Sequence, residues 1–166
     1  MEEMYGIIND LARQIVEKCT AAGVKISTAE SCTGGMISAA VTAVPGSSAV
    51  IELGICSYSN RIKHDILGVT ESTLERFSEY STACAEEMAR GAIKVSGADF
   101  AVATSGVAGP AGSTEGNPVG TVYIAVADGN SVTSEKCLFD NKGRDHIRAA
   151  ATEKALEMLL DKLLQT

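Results

Sequence analysis

Helical and strand-like patterns of apolar residues alternate along the chain. An apolar stripe at helical spacing runs from Met4 to Cys19 and is stopped by Gly23, and an alternating segment over 24–28 follows as a strand. Further helices are predicted over 35–44, 60–67, from 70, over 82–95 and over 144–163, and further strands over 49–59, 100–104, 119–127 and 132–139. This order predicts one α/β domain over residues 1–166, a three-layer α/β/α sandwich with a mixed sheet.

Two of the predicted strands carry more specific signals. The segment over 49–59 has apolar residues at consecutive as well as alternate positions, so we expect burial on both of its faces. The last two strands are joined by Asp128-Gly129-Asn130, which is typical of a tight hairpin.

Small hydroxyl, thiol and glycine residues are gathered in the turn after the first strand, which reads TAESCTGG over 28–35. The carboxyl end of a strand is where open α/β sheets bind ligands. Ser31 or Thr33 can cap the next helix, and Gly34 and Gly35 let a substrate approach the unpaired N–H groups of its first turn. The turn therefore suits an anion or the oxyanion of an acyl transfer, although a purely structural cap has the same composition.

A second loop rich in glycine follows the strand over 100–104 and reads SGVAGPAGS over 105–113. Its glycines match neither the dinucleotide-binding pattern nor the phosphate-binding loop of nucleotide hydrolases. We therefore predict no site of either kind.

Charge and composition exclude several partners. The net charge of −7 and the absence of a basic run disfavour nucleic acid, whereas a small anionic substrate is still allowed in a cleft that holds a few cations. The apolar stretches fall short of the ~18 residues that a membrane span needs. Five widely spaced cysteines indicate reduced thiols in a cytoplasmic protein, and only two histidines make a metal site or a histidine-based triad improbable, so we expect no metal and no cofactor.

Tyr58 and Lys63 bracket the end of the predicted strand over 49–59. A desolvated lysine loses affinity for its proton and can act as general base to a serine. Tyr58 could then relay the proton or fix the lysine. The competing interpretation is a solvated helix lysine and a half-buried strand tyrosine.

Cys32 competes with Ser31 for the role of nucleophile. A thiol with Glu30 and Lys63 is a workable amidase set, so the residues alone leave both alternatives open. Neighbouring residues on a turn point in different directions, and we expect only one of the two to face a substrate.

Arg144 and Arg148 stand one helical turn apart at the start of the last helix. Such a pair could clamp a phosphate, or it could lie on a solvated face beside Asp145 and Glu153.

Several short motifs follow one another along the chain: TAESCTGG, PGSSAV, YSN with a nearby lysine, LGV, TSGVAGPAGS, NPVGTVYIA and the late arginine pair. In kind and order, these motifs resemble those of the CinA carboxyl-terminal family. The resemblance covers nearly the whole chain from Thr28 onward. It implies hydrolysis of the carboxamide of nicotinamide mononucleotide to nicotinate mononucleotide and ammonia, in pyridine-nucleotide salvage. It also implies a homodimer without metal, in a form that lacks the molybdopterin-binding-like domain of longer relatives.

The resemblance assigns roles residue by residue. Ser31 matches the nucleophile, Lys63 its base and Tyr58 the assisting hydroxyl. The following positions match the substrate pocket: Glu30, Thr33, Gly34, Gly35, Ser47, Ser48, Ser105, Gly106, Gly109, Arg144 and Arg148. The alternative is a regulatory nucleotide-binding domain of the same family without turnover, although a binder has no need of a base beside a serine.

Overall fold

The computed structural model describes residues 1–165, so Thr166 of the predicted domain lies outside the described residues. The helices are α1 (Glu2–Ala22), α2 (Met36–Thr42), α3 (Asn60–Asp65), α4 (Glu71–Phe77), α5 (Thr82–Ser96) and α6 (Arg144–Leu164). The strands are β1 (Ile26–Glu30), β2 (Ile51–Cys56), β3 (Phe100–Gly106), β4 (Thr121–Asp128) and β5 (Val132–Leu138). A short 3₁₀ turn over Ser47–Ala49 precedes β2.

The five strands form one mixed sheet in the order β2-β1-β3-β4-β5. β1 is parallel to β2 and β3, whereas β4 is antiparallel to both β3 and β5. Because β1, β2 and β3 run in the same direction, their carboxyl ends meet at one edge of the sheet. The three loops that follow these strands carry the residues singled out in the sequence.

Helices cover both faces of the sheet, which confirms the predicted three-layer α/β fold. On one face α1, α2 and α6 pack on Ile26, Val102 and Ile124 in one core cluster. On the other face α5 packs through Met88 on strand residues that are mostly alanine. Small side chains let α5 approach the sheet closely.

The predicted strand over 49–59 is shorter than expected and is not buried on both faces. β2 pairs only with β1 and lies at the edge of the sheet, so alternate residues over Ile51–Cys56 are exposed. Val50, which contributes to the apolar run, is buried, but it belongs to the turn before the strand. Apolar runs predict burial, whereas the position of a strand within its sheet is decided by long-range pairing.

β1 begins two residues later than its alternating pattern predicts. Gly23 ends α1 in the left-handed conformation, and the N–H of Val24 donates to the carbonyl of Cys19. Val24 is thus part of the helix cap and cannot start the strand.

Candidate active site

A pocket of about 300 Å³ opens at the edge where the parallel strands end. Its walls are the turn at Ser31, the segment over 58–63, the residues Glu79 and Tyr80, the loop over 106–112, and Arg144. These segments come from both faces of the sheet. The pocket lies at the carboxyl ends of β1 and β3, where the sequence predicts a site.

Lys63 and Ser31 meet at the bottom of this pocket. Lys63 lies on α3, where the side chain of Ser59 accepts a hydrogen bond from the N–H of Ile62 and so caps the helix. The Lys63 Nζ donates to Ser31 Oγ (3.2 Å) and to the carbonyl of Ser57 (2.9 Å). The alternative of a solvated lysine is wrong, because only 1% of Lys63 is exposed.

The surroundings of Lys63 favour a neutral amine. Burial lowers the pKa of Lys63, and the nearby Cys84, Glu79 and Cys32 oppose that shift only in part. A neutral amine that donates to the Ser57 carbonyl keeps its lone pair for the Ser31 hydroxyl. The pair can therefore transfer the serine proton to the lysine.

The thiol of Cys32 is a poor competitor for the role of nucleophile. Cys32 is buried, and burial raises the pKa of its thiol to about 12. At neutral pH such a thiol is almost fully protonated, whereas the thiolate is the reactive form. The Ser31 hydroxyl, in contrast, is hydrogen-bonded to the Lys63 amine.

Glu30 supports the start of α2, a role that its sequence context does not reveal. Its buried carboxylate accepts six hydrogen bonds, among them those from the N–H groups of Gly35, Ile37 and Ser38. The predicted caps by Ser31 or Thr33 are wrong, since the cap position is Gly35 and no side chain at that position caps α2. The first-turn N–H groups of α2 are thus satisfied by Glu30 and are closed to a substrate.

Thr33 and Arg148 also hold the turn at Ser31 through hydrogen bonds. Thr33 Oγ1 donates to Glu30 (2.7 Å) and contacts Thr104 Oγ1 (2.8 Å). Arg148 donates from Nε to the carbonyl of Cys32 (3.1 Å) and from Nη2 to the carbonyl of Thr33 (3.0 Å). Arg148 does not line the pocket, so we assign it a positioning role in place of phosphate binding.

Gly34 explains why Arg148 can lie so close to the turn. A Cβ at this position would stand 3.1 Å from Arg148 Nη2, and its φ of +60° is one that side chains rarely adopt. Gly34, predicted to admit substrate, therefore admits an internal guanidinium.

Arg144 occupies the mouth of the pocket. Its Nη1 donates to the carbonyl of Gly109 (2.8 Å), and its Nη2 donates to the hydroxyl of Tyr58 (2.9 Å). Tyr58 is 62% exposed, so it is not the half-buried strand aromatic of the alternative interpretation. Its hydroxyl contacts Arg144 at the rim, whereas the deep end of the pocket holds the Ser31 pair.

Some of the remaining predicted pocket residues line the pocket, and the others lie outside it. Gly106 and Gly109 line the pocket. Ser105 is fully buried and donates to the carbonyl of Glu79 (2.7 Å). Ser47 is buried in the turn before β2, Ser48 is exposed there, and neither lines the pocket.

Sequence reasoning missed several pocket residues, and two of them, Glu79 and Tyr80, lie outside every motif that it singled out. They lie between α4 and α5, in a segment without a glycine-rich or motif-like signal. Only the packing of α5 on the sheet and of α4 on α5 brings them to the site. The short run of polar residues before Thr82 was the one available cue, and it is also typical of an ordinary loop.

The family comparison agrees with this architecture. Residues 8–163 match the family model described as the CinA C-terminal domain. The chain belongs to this family.

Curated relatives share its sequence over almost its full length. The CinA-like protein of Shewanella sediminis is 43% identical over 95% of this chain, which corresponds to 37% of that relative. The protein named Nicotinamide-nucleotide amidohydrolase PncC of Shewanella oneidensis is 43% identical over 93% of this chain and 36% of its own length. The chain thus spans little more than a third of these relatives.

Solved structures of similar length share the fold. The competence/damage inducible protein CihA from Agrobacterium tumefaciens has a TM-score of 0.91 and 44% identity, over 93% of this chain and 94% of that one. A CinA superfamily protein from Klebsiella pneumoniae also has a TM-score of 0.91, with 33% identity over 96% and 99% of the two chains.

Neither a metal-ligand cluster nor a membrane-spanning helix is present within residues 1–165. In this part of the chain, no group of three or more His, Cys, Asp or Glu side chains is placed to hold a metal ion. None of the helices found there combines the length and apolar content needed to cross a bilayer.

Proposed function

We propose that the protein is an amidase that hydrolyses the carboxamide of nicotinamide mononucleotide. The observation that carries the proposal is the contact between the buried Lys63 amine and the Ser31 hydroxyl at the bottom of an open pocket. A serine beside a desolvated lysine is an arrangement for nucleophilic catalysis without histidine. The relative from Shewanella oneidensis, whose name states this activity, supports the choice of substrate.

The acylation half of the reaction follows from the contacts of Lys63. The neutral amine takes the Ser31 proton while Oγ forms a bond to the carboxamide carbon. The resulting tetrahedral intermediate collapses as its C–N bond breaks, and the Lys63 ammonium returns the proton to the departing ammonia. This step leaves an ester on Ser31 and a neutral amine on Lys63.

The hydrolytic half repeats the same proton path. Lys63 takes a proton from water, whose oxygen attacks the ester carbon. The ester C–O bond breaks, the proton returns to Ser31 Oγ, and nicotinate mononucleotide leaves. The Ser57 carbonyl, 2.9 Å from Nζ, holds the amine in place through both halves.

Arg144 is the group that we assign to the phosphate of the substrate. It lies at the mouth of the pocket and can present a planar pair of N–H groups to a phosphate. The Tyr58 hydroxyl lies 2.9 Å from Arg144, so we propose that Tyr58 assists by orienting that guanidinium.

Ammonia release tests the proposal. Purified protein should release ammonia from nicotinamide mononucleotide, and Ser31→Ala should abolish the release while binding of the mononucleotide persists. Binding without turnover in the unaltered protein would favour the regulatory nucleotide-binding alternative. If the protein neither binds nor turns over the mononucleotide, the substrate class is rejected.

Three further expectations belong to this proposal. We propose that residues 1–166 act as one domain, that the protein forms a homodimer and that it works in the cytoplasm. Light scattering coupled to size-exclusion chromatography measures the mass in solution, and fractionation of cells measures the location. A monomeric mass would reject the dimer without affecting the chemistry at Ser31.

A further inference from the structure

The pocket holds one carboxylate that the proposed chemistry leaves unused, that of Glu79. It lines the pocket together with Ser31, Lys63 and Arg144. Its Oε2 accepts a long hydrogen bond from the Nδ2 of Asn60 (3.4 Å), and its charge acts on Lys63 in the direction of a higher pKa. Glu79 is therefore close to the place where the carboxamide must lie.

The backbone around Glu79 is built to hold that carboxylate at the pocket. Ser78, the residue before it, is the only non-glycine residue within 1–165 with a positive φ, at 64°. Its side chain accepts from the N–H of Tyr80 (3.1 Å), and its carbonyl accepts from the hydroxyl of Ser81 (2.9 Å). On the other side, Ser105 on β3 donates to the Glu79 carbonyl (2.7 Å).

A strained residue held by several hydrogen bonds usually marks a functional segment. Here the strain redirects the chain between α4 and α5, so that consecutive residues, Glu79 and Tyr80, both face the pocket. A solvated loop would have no need of this conformation.

The charges of the pocket are separated. Arg144 stands at the rim beside Tyr58, whereas Glu79 stands beside Asn60 and near Lys63. With Lys63 neutral, as the proposed mechanism requires, the lining of the pocket carries one positive and one negative charge at different places. A ligand that matches this lining carries an anionic group at one end and a cationic group near its reacting amide.

We infer that Glu79 is a specificity-determining residue that recognises the positive charge of an N-substituted pyridinium ring. The inference rests on the proposed function, because it places the ring of the bound amide beside Glu79. The ring of nicotinamide mononucleotide carries a full positive charge next to its carboxamide, and its phosphate lies at the far end. The aromatic faces of Tyr58 and Tyr80, which line the same pocket, favour a cationic ring as well.

The substrate class that follows is the carboxamides of quaternised pyridines. Amides on neutral rings lack the group that Glu79 would pair with. Glu79 is half-buried, and a bound ring would cover it further. A neutral ring would cover the carboxylate without a charge to pair with it, which costs binding energy, so the pocket should discriminate against such amides.

The test compares the mononucleotide with its reduced form, in which the dihydropyridine ring is uncharged and the phosphate is retained. Glu79→Gln should raise KM for the oxidised form about tenfold, equivalent to about 1.4 kcal/mol, and change the inhibition constant of the reduced form less than about twofold. Glu75→Gln is the matched control, since it removes the same charge from an exposed position on α4 outside the pocket.

Calorimetric titration of Ser31→Ala, with and without Glu79→Gln, measures the same preference without turnover. Loss of preference for the charged ring in the double variant supports the inference. Equal effects of Glu79→Gln on both ligands, or no effect on either, would overturn the inference. If the substitution instead shifts the pH profile by the same amount for both ligands, Glu79 acts only on the pKa of Lys63, which also overturns it. If the unaltered protein binds the mononucleotide but releases no ammonia, the proposed amidase activity fails while this titration still decides the role of Glu79.

Discussion

The Lys63 amine reaches the Ser31 hydroxyl from inside the protein. Its Nζ lies 3.2 Å from Oγ, and 1% of the lysine is exposed. Within residues 1–165, the other hydrogen-bond partner of the amine is the carbonyl of Ser57, at 2.9 Å. Burial among neutral oxygen partners lowers the pKa of this amine, which favours the neutral form that a base needs.

Substitutions at Ser31 and Cys32 should show which of the two side chains, hydroxyl or thiol, is the nucleophile. Ser31→Ala should lower kcat by about 10³-fold or more, because the covalent path is lost. Cys32→Ser should leave measurable turnover, since the buried thiol with a pKa of about 12 contributes no thiolate. Steady-state ammonia release measures both variants, and the reverse ranking would move the reaction to thiol chemistry.

The activity should fall on the acidic side through the titration of Lys63. Burial lowers the pKa of Lys63, and the base works as the neutral amine, which dominates above that pKa. kcat/KM should therefore drop as the pH decreases through the lowered value. The facing thiols of Cys32 and Cys84 have pKa values of about 12 and do not titrate in this range.

Lys63→Arg is the matched variant for this pH dependence. It keeps a cation at the site, but a guanidinium does not release its proton at any accessible pH, so turnover should be almost absent. Thermal unfolding of the variant reports whether the larger group is accommodated. An active Lys63→Arg enzyme with an unchanged pH profile would show that another group activates Ser31.

Arg144 should act on the phosphate. Arg144→Ala should raise KM for nicotinamide mononucleotide about tenfold or more, as expected for the loss of a charge-assisted pair. Activity on nicotinamide riboside, which lacks the phosphate, should change far less. Equal losses on both substrates would assign Arg144 to the transition state or to the structure of the rim.

Arg148 should keep Ser31 aligned with Lys63. Its two hydrogen bonds hold the carbonyls of Cys32 and Thr33, next to the nucleophile. Arg148→Met should lower kcat more than it raises KM, because Ser31 loses its alignment with Lys63. The same substitution should affect the mononucleotide and the riboside equally, which is the opposite of the result expected for Arg144.

Glu30 should be important for stability. Glu30→Gln replaces an acceptor of six hydrogen bonds with a group that also donates, against the N–H groups of α2. The free energy of unfolding should fall by about 2–4 kcal/mol. Urea denaturation measures it, with the exposed Glu52→Gln as control, which should stay within about 0.5 kcal/mol of the unaltered protein. An equal effect of both variants would mean that the buried network contributes nothing specific.

Local signals along the chain were sufficient for most of the fold. Gly23 and Gly97 end α1 and α5 in the left-handed conformation, and Thr70 and Ser81 cap α4 and α5 through their side chains. Period and capping act within a few residues of each other, so they can be recognised in the sequence without knowledge of the fold. The mixed sheet and the turn at Ser31 follow from these signals and from the order of the elements.

What the sequence could not decide is which distant groups meet. Arg144 and Arg148 stand one turn apart on α6, yet one reaches Tyr58 at the rim and the other reaches the carbonyls of the Ser31 turn. Glu30 looked like a pocket residue and instead caps α2, whereas Glu79, in an ordinary-looking segment, lies in the pocket. Periodicity determines which face of an element is buried, but the partner of a buried polar group depends on the packing of elements far apart in the chain. The sequence by itself determined the elements and the identity of Ser31 and Lys63 as candidates, and the tertiary structure decided which charged groups support the turn and which face the substrate.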